Sequence, residues 1–175
     1  IAVSALVLGG LMAPQSGVAQ SYGHSLAVWQ GEVLVGEPLT SRRPRTVYRY
    51  DNRGDGWKEV GQLRSPNSHV GDGFGQSLAV GERMLAVGTA DEDSARGRLY
   101  LFERTDEGGW QSTTTLQPDT LAAGDRFGAE VAMDDRTLAV AAPGREADRG
   151  VVYLYRRDNP GDEWTLDEWV MAGNS

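Results

Sequence analysis

The residues able to do chemistry are few and scattered. His24 takes the place that Gln76 holds in a later copy of the same motif, which predicts an exposed strand position, and His69 lies in a linker before Gly71-Asp72-Gly73. Neither starts a metal-ligand spacing. Asp51-Asn52-Arg53-Gly54-Asp55-Gly56 has the look of a calcium loop, but Arg53 stands at the second ligand position, where its charge would repel the cation. A solvated turn is the expectation there. Asp91-Glu92-Asp93 reads as a charged loop tip. Asp134 and Asp135 are adjacent in a turn and diverge, whereas a glycosidase pair needs carboxyl groups roughly 5 to 9 Å apart across a cleft. Gly71-Asp72-Gly73-Phe74-Gly75 is glycine-rich, yet no Lys-Ser/Thr pair or Rossmann spacing follows it and the next element reads as a strand. No Gly-x-Ser-x-Gly elbow occurs. The expectation is a chain with no catalytic residues, no cofactor and no metal.

Composition narrows the partners. The chain has 175 residues, no cysteine, 23 glycines and a formal net charge of -8. That length suits one ordinary domain. The acidic balance repels phosphate backbones and anionic membranes, so neither nucleic acid nor a membrane surface is expected as a partner. Without cysteine there is no disulfide framework and no thiolate metal site. Residues 1–13 (IAVSALVLGGLMA) form an uncharged apolar run, shorter than the roughly 20 residues that span a bilayer. Gly17-Val18-Ala19 follows as a small-x-small pattern before Gln20. Together they read as a secretory signal over 1–19, lacking its start, and predict an extracellular or cell-surface protein.

The elements that would position any site come in threes. Tyr22–Val28 (YGHSLAV), Phe74–Val80 (FGQSLAV) and Phe127–Met133 (FGAEVAM) repeat at spacings of 52 and 53. Thirteen residues after each aromatic stands Val35, Val87 or Val140, and twenty-six after it Tyr48, Tyr100 or Tyr153. A Trp then follows at 35, 36 and 37 residues: Trp57, Trp110 and Trp164. A register held over 26 positions and then drifting by one per copy places packed structure first and a surface turn second. The second copy predicts four strands, over 74–80, 84–87, 98–103 and 110–116. The fourth (WQSTTTL) is polar enough to be an outer strand. The fold class is therefore all-β: three four-stranded antiparallel repeats, over 22–73, 74–126 and 127–175, stacked as β-propeller blades. The Gly after each wedge aromatic is expected to permit a close backbone approach.

These residues resemble the FG-GAP repeat of integrin alpha-chain propellers and of many secreted bacterial proteins. The third copy carries Phe127-Gly128, Leu138-Ala139-Val140-Ala141-Ala142-Pro143 and Gly150-Val151-Val152-Tyr153-Leu154-Tyr155. The second carries Phe74-Gly75, Leu85-Ala86-Val87-Gly88-Thr89-Ala90 and Gly97-Arg98-Leu99-Tyr100-Leu101-Phe102. The first is more divergent, with Tyr22-Gly23, Leu34-Val35-Gly36-Glu37-Pro38 and Arg45 where the others have Gly. The resemblance covers about residues 22–175. It implies a non-catalytic binding or adhesion module, with partner contacts on the loops after the G-A-P element. The calcium loop that many members carry in the first hairpin has no room here, where only two or three turn residues stand.

The loops so implied are 37–45, 89–96 and 142–149. Their charged residues, Arg42, Arg43, Arg45, Asp91, Glu92, Asp93, Arg145, Glu146 and Asp148, are the candidate binding residues for a protein or glycan ligand. Their charge favours a protein over a glycan. A purely structural scaffold, or the accessory part of an exported enzyme, is the alternative. Rings of this type close with about 4 to 8 blades. The three copies are therefore expected to form an open arc, part of a longer product, that pairs with further blades or with itself.

Overall fold

The computed structural model describes residues 22–37, 45–52, 54–67 and 72–171. The predicted signal segment, His69, Arg53, Arg42 and Arg43 lie outside these residues. The described chain forms twelve strands. They are β1 (Ser25–Trp29), β2 (Glu32–Glu37), β3 (Thr46–Asn52), β4 (Trp57–Arg64), β5 (Ser77–Val80) and β6 (Met84–Thr89), then β7 (Arg98–Arg104), β8 (Trp110–Leu116), β9 (Val131–Met133), β10 (Thr137–Ala142), β11 (Val151–Arg156) and β12 (Thr165–Val170). They make three four-stranded antiparallel sheets, β1-β2-β3-β4, β5-β6-β7-β8 and β9-β10-β11-β12. The fold is all-β, and the sheets stack as propeller blades do.

The strands follow their sequence closely, with two differences. Each wedge aromatic sits in a tight turn ahead of its first strand, because Gly23, Gly75 and Gly128 have φ of +82°, +85° and +87° and cannot continue a strand. The first strands are correspondingly short. His24 is exposed but precedes β1 rather than lying in it. The second difference is a bulge in every outer pairing, between Arg49 and Tyr50, Leu101 and Phe102, and Leu154 and Tyr155. It recurs at the same repeat position and twists the outer strand away from the inner three. The drift in Trp spacing falls in the turns that follow, over 53–56, 105–109 and 157–164.

Packing gathers into two cores, one per pair of sheets. At the first seam Ala27, Leu34, Val47 and Leu63 of the first sheet meet Leu85, Val87, Tyr100, Phe102 and Trp110 of the second, with Phe74 between them. At the second seam Met84, Ala86, Leu99 and Leu101 meet Leu138, Val140, Tyr153 and Tyr155, with Phe127 between them. The inner strands of the middle sheet are thus packed on both faces, with β6 buried at all six positions, while β8 is largely exposed beyond Trp110. Strand alternation explains the division: Leu85 and Val87 face one neighbour, Met84 and Ala86 the other. Phe74 lies edge-on to Tyr100 and Phe102 at 5.8 and 6.1 Å, and Phe127 to Tyr153 and Tyr155 at 5.3 and 6.5 Å.

Candidate functional site

The predicted loop face contains two turns of unusual backbone. Asp93, Ser94 and Ala95 have φ of 53°, 59° and 58°, and Glu146, Ala147 and Asp148 have 55°, 56° and 63°. Three successive non-glycine residues in the left-handed region cost roughly 1–2 kcal/mol each. Tertiary bonds hold the first of these turns. The carbonyls of Ser94, Ala95 and Arg96 accept from the amides of Gly124, Arg126 and Phe127, at 3.2, 2.8 and 2.9 Å. The left-handed turn therefore offers a row of carbonyls to the linker that enters the third sheet. Gly97 ends it, and a Cβ there would lie 2.0 Å from the Phe127 carbonyl oxygen.

The candidate binding residues divide by exposure, and even exposed Asp93 accepts from Gln117 Nε2 at 3.4 Å and pairs with Arg96 at 3.6 Å. Glu92 is buried; it accepts from the Tyr100 hydroxyl at 2.9 and 3.0 Å and from Asn67 Nδ2 at 3.2 Å, and pairs with Arg98 at 3.2 Å. Arg45 is also buried, 3.8 Å from Asp91, which in turn meets Arg126 at 3.4 Å. Burial pushes the Arg45 guanidinium below its ordinary value, against the charges of Asp91 and Asp72. Arg145 donates to Asp125 at 2.8 Å and to the Thr120 carbonyl at 2.7 Å. Burial would lower its pKa, but the bond and charge of Asp125, with Tyr153 and Glu146, raise it instead. These four, Arg45, Asp91, Glu92 and Arg145, bind the structure together. Asp93, Glu146 and Asp148 are exposed at the loop tips. Beside Asp93 an open cleft of about 540 Å³ is lined by Asn67, Asp72, Glu92, Asp93 and Arg98. Among the described residues no group of three or more His, Asp or Glu could hold a metal, and no helix is long and apolar enough to cross a membrane.

Sequence reasoning passed over a second polar site, at the far end of the first seam. Glu32 is 5 % exposed. Arg49 donates to both of its oxygens, Arg104 reaches Oε2 at 2.7 Å, and Trp110 Nε1 lies 3.4 Å from Oε1. The Arg104 guanidinium lies against both Trp29 and Trp110, 4.8 and 5.2 Å from the ring centres, and the two rings meet edge-on at 5.6 Å. Burial alone would raise the Glu32 pKa, but the bond and charge of Arg49, then Arg104 and Trp110, hold it below the ordinary 4.5. The second seam keeps only half of this arrangement. Arg157 stacks on Trp164 at 4.5 Å, while Met84 and Leu101 take the places of Glu32 and Arg49. A cleft of about 510 Å³ remains there, lined in part by Met84, Leu116, Arg157 and Trp164.

The wedge turns are the most regular feature of the seams. Ser25 Oγ donates to the Gly75 carbonyl at 2.6 Å, and Ser77 Oγ to the Gly128 carbonyl at 2.7 Å. Each serine is paired across its hairpin with a glycine, Gly36 or Gly88. A Cβ at Gly36 would lie 2.2 Å from the Gly75 oxygen, and one at Gly88 2.0 Å from the Gly128 oxygen. The close backbone approach expected at the wedge glycine thus needs a second glycine on the receiving sheet. Residues 110–155 match the family model described as FG-GAP repeat.

Over that stretch the chain is similar to an FG-GAP repeat. The matched stretch begins on β8, the outer strand of the second sheet, and ends on β11 in the third. The stretch so matched contains the second linker, Phe127-Gly128 and the seam they build, rather than one whole sheet. No curated protein matches the chain significantly.

Proposed function

We propose that this FG-GAP module is a non-catalytic assembly element of an exported or cell-surface protein, and that it binds a protein partner through the outer face of its first sheet. One observation carries the reading. The face of the second sheet that holds Tyr100 and Phe102 is buried under the first sheet, and the matching face of the third is buried under the second. The equivalent face of the first sheet is open, with Tyr22 50 %, Leu26 62 % and Val28 68 % exposed. Apolar side chains so grouped on one sheet mark a contact surface. Its hydroxyls are linked, Tyr22 to Tyr50 at 2.8 Å and Tyr48 to Glu37 at 2.8 Å. Export is supported by the apolar segment and small-x-small pattern at residues 1–19.

The loop face supports a lesser contact, because most of its charges already have partners within the chain. A photo-crosslinking residue at Val28 and another at Asp148 separate the two surfaces in cells that make the protein. Protein adducts at position 28 are expected; adducts confined to position 148 would return the binding role to the loops.

A further inference from the structure

The two seams use one receiving device, and the third sheet lacks it. In the first and second sheets the device is a serine on the first strand beside a glycine on the second: Ser25 with Gly36, and Ser77 with Gly88. The serine donates to the carbonyl of the incoming wedge glycine, and the strand glycine leaves the space that this carbonyl fills. In the third sheet the same two positions hold Glu130 and Ala141, still paired by the Ala141 amide to the Glu130 carbonyl at 2.9 Å. An incoming carbonyl oxygen at the place it occupies on the other sheets would meet the Ala141 methyl at about the 2.0 to 2.2 Å found for a Cβ at Gly88 and Gly36. It would also face the carboxylate of Glu130 in place of a hydroxyl donor. Two acceptor oxygens repel, and nothing satisfies the carbonyl.

We propose that Glu130 and Ala141 determine stacking specificity by closing the outer face of the third sheet to an FG-type wedge, including the free Tyr22-Gly23 wedge of a second copy. That wedge is otherwise ready. Gly23 has the same φ as Gly75 and Gly128, and open space lies around its Cβ position. Stacking through this device is then directional, and head-to-tail docking of the Tyr22-Gly23 wedge on the third sheet is blocked by two side chains. The inference does not rest on the binding role proposed above: its blocking residues lie on the third sheet, although the wedge they exclude belongs to the open face of the first.

The test restores the device. In the full chain, Glu130→Ser with Ala141→Gly rebuilds the serine–glycine pair on the third sheet, and sedimentation equilibrium measures self-association. The double variant is expected to self-associate at least tenfold more tightly than the unaltered chain, and Gly23→Val added to it is expected to remove the gain by blocking the wedge. Equal or weaker association of the double variant would overturn the proposal. So would self-association of the unaltered chain that Gly23→Val abolishes, since the wedge would then dock despite Glu130 and Ala141. Self-association would place a second copy against the face that holds Val28, so the mass of the Val28 adduct, a second copy or a different protein, keeps the two results apart.

Discussion

The two seams join the same kinds of sheet by the same wedge, yet they fill their far ends differently. The first closes around a buried carboxylate with two arginines and two tryptophans; the second puts Met84 and Leu101 in the same places and leaves a cleft. What the seams share is backbone geometry at the wedge. What they vary is side-chain filling. The lesson is that the repeat specifies an approach between main chains, and each seam then completes its own core.

The largest expected effect tests the shared part. Gly88→Ala places a methyl 2.0 Å from the Gly128 carbonyl oxygen and 2.1 Å from Ser77 Oγ, both in buried structure. Neither can move without opening the seam, so a loss of more than about 4 kcal/mol is expected in urea unfolding. Ala141→Gly, at the matching place on the third sheet, removes a methyl that meets no neighbouring sheet and should cost about 1 kcal/mol or less. Similar losses for the two variants would mean that the wedge geometry is not what holds the seams.

The next effect tests the variable part. Glu32→Ala leaves Arg49 and Arg104 charged with their carboxylate gone, and a loss of about 3–5 kcal/mol is expected. Met84→Ala at the second seam removes only apolar volume and should cost about 2–5 kcal/mol, toward the lower end because a cleft already adjoins it. Glu32→Met combined with Arg49→Leu converts the first seam to the pattern of the second. It should cost less than Glu32→Ala, about 1–3 kcal/mol, because one charge of each sign leaves while Arg104 keeps its tryptophans but loses its carboxylate. If the double variant is as unstable as Glu32→Ala, the polar cluster supplies fit that methionine and leucine cannot.

Acid sharpens the same contrast. Glu32 is held below its ordinary 4.5, so its folded value lies under its unfolded one. Its contribution is complete above about pH 4.5 and is lost as pH falls through the lower folded value. Stability against pH should therefore fall less steeply below that point in the Glu32→Met, Arg49→Leu variant than in the unaltered chain. Asp134, also lowered by the backbone amides of Arg136 and Thr137, is present in both and cancels in the difference. Parallel curves would show that Glu32 gains nothing from its partners on folding.

How much of this could be read from the chain depends on whether a feature recurs. The strands, the outer position of WQSTTTL, the drift in the turns and the glycine after each aromatic all appear three times, and periodicity exposes them. Glu32 and Arg49 stand in the first copy only and Arg104 in the second, so the cluster joins two copies and an alignment of the copies does not assemble it. The left-handed turns were invisible for another reason. Asp93-Ser94-Ala95 and Glu146-Ala147-Asp148 contain neither glycine nor asparagine, and in the first of them it is the linker amides, distant in sequence, that hold the strained backbone. Reading Asp91-Glu92-Asp93 as a charged loop tip placed the loop correctly but missed that Glu92 points inward to Tyr100. The substitutions Glu130 and Ala141 were plain in the alignment. Their meaning needed the distance from a glycine to a carbonyl on another sheet.

The smallest effect separates two bonds that are nearly identical in length. Ser25 and Ser77 both donate to a wedge carbonyl, at 2.6 and 2.7 Å. Ser77 is 3 % exposed, whereas Ser25 is half-buried on the sheet whose other face is open. Removing a hydroxyl leaves the carbonyl without its partner, and the loss depends on whether water can replace it. Ser77→Ala should cost roughly 2 kcal/mol and Ser25→Ala roughly 1 kcal/mol in denaturant unfolding. Equal losses would mean that water reaches neither carbonyl, and that the first seam is as dry at its wedge as the second. A greater loss for Ser25 would place the weaker packing at the second seam, where the cleft beside Trp164 would then extend inward to the wedge.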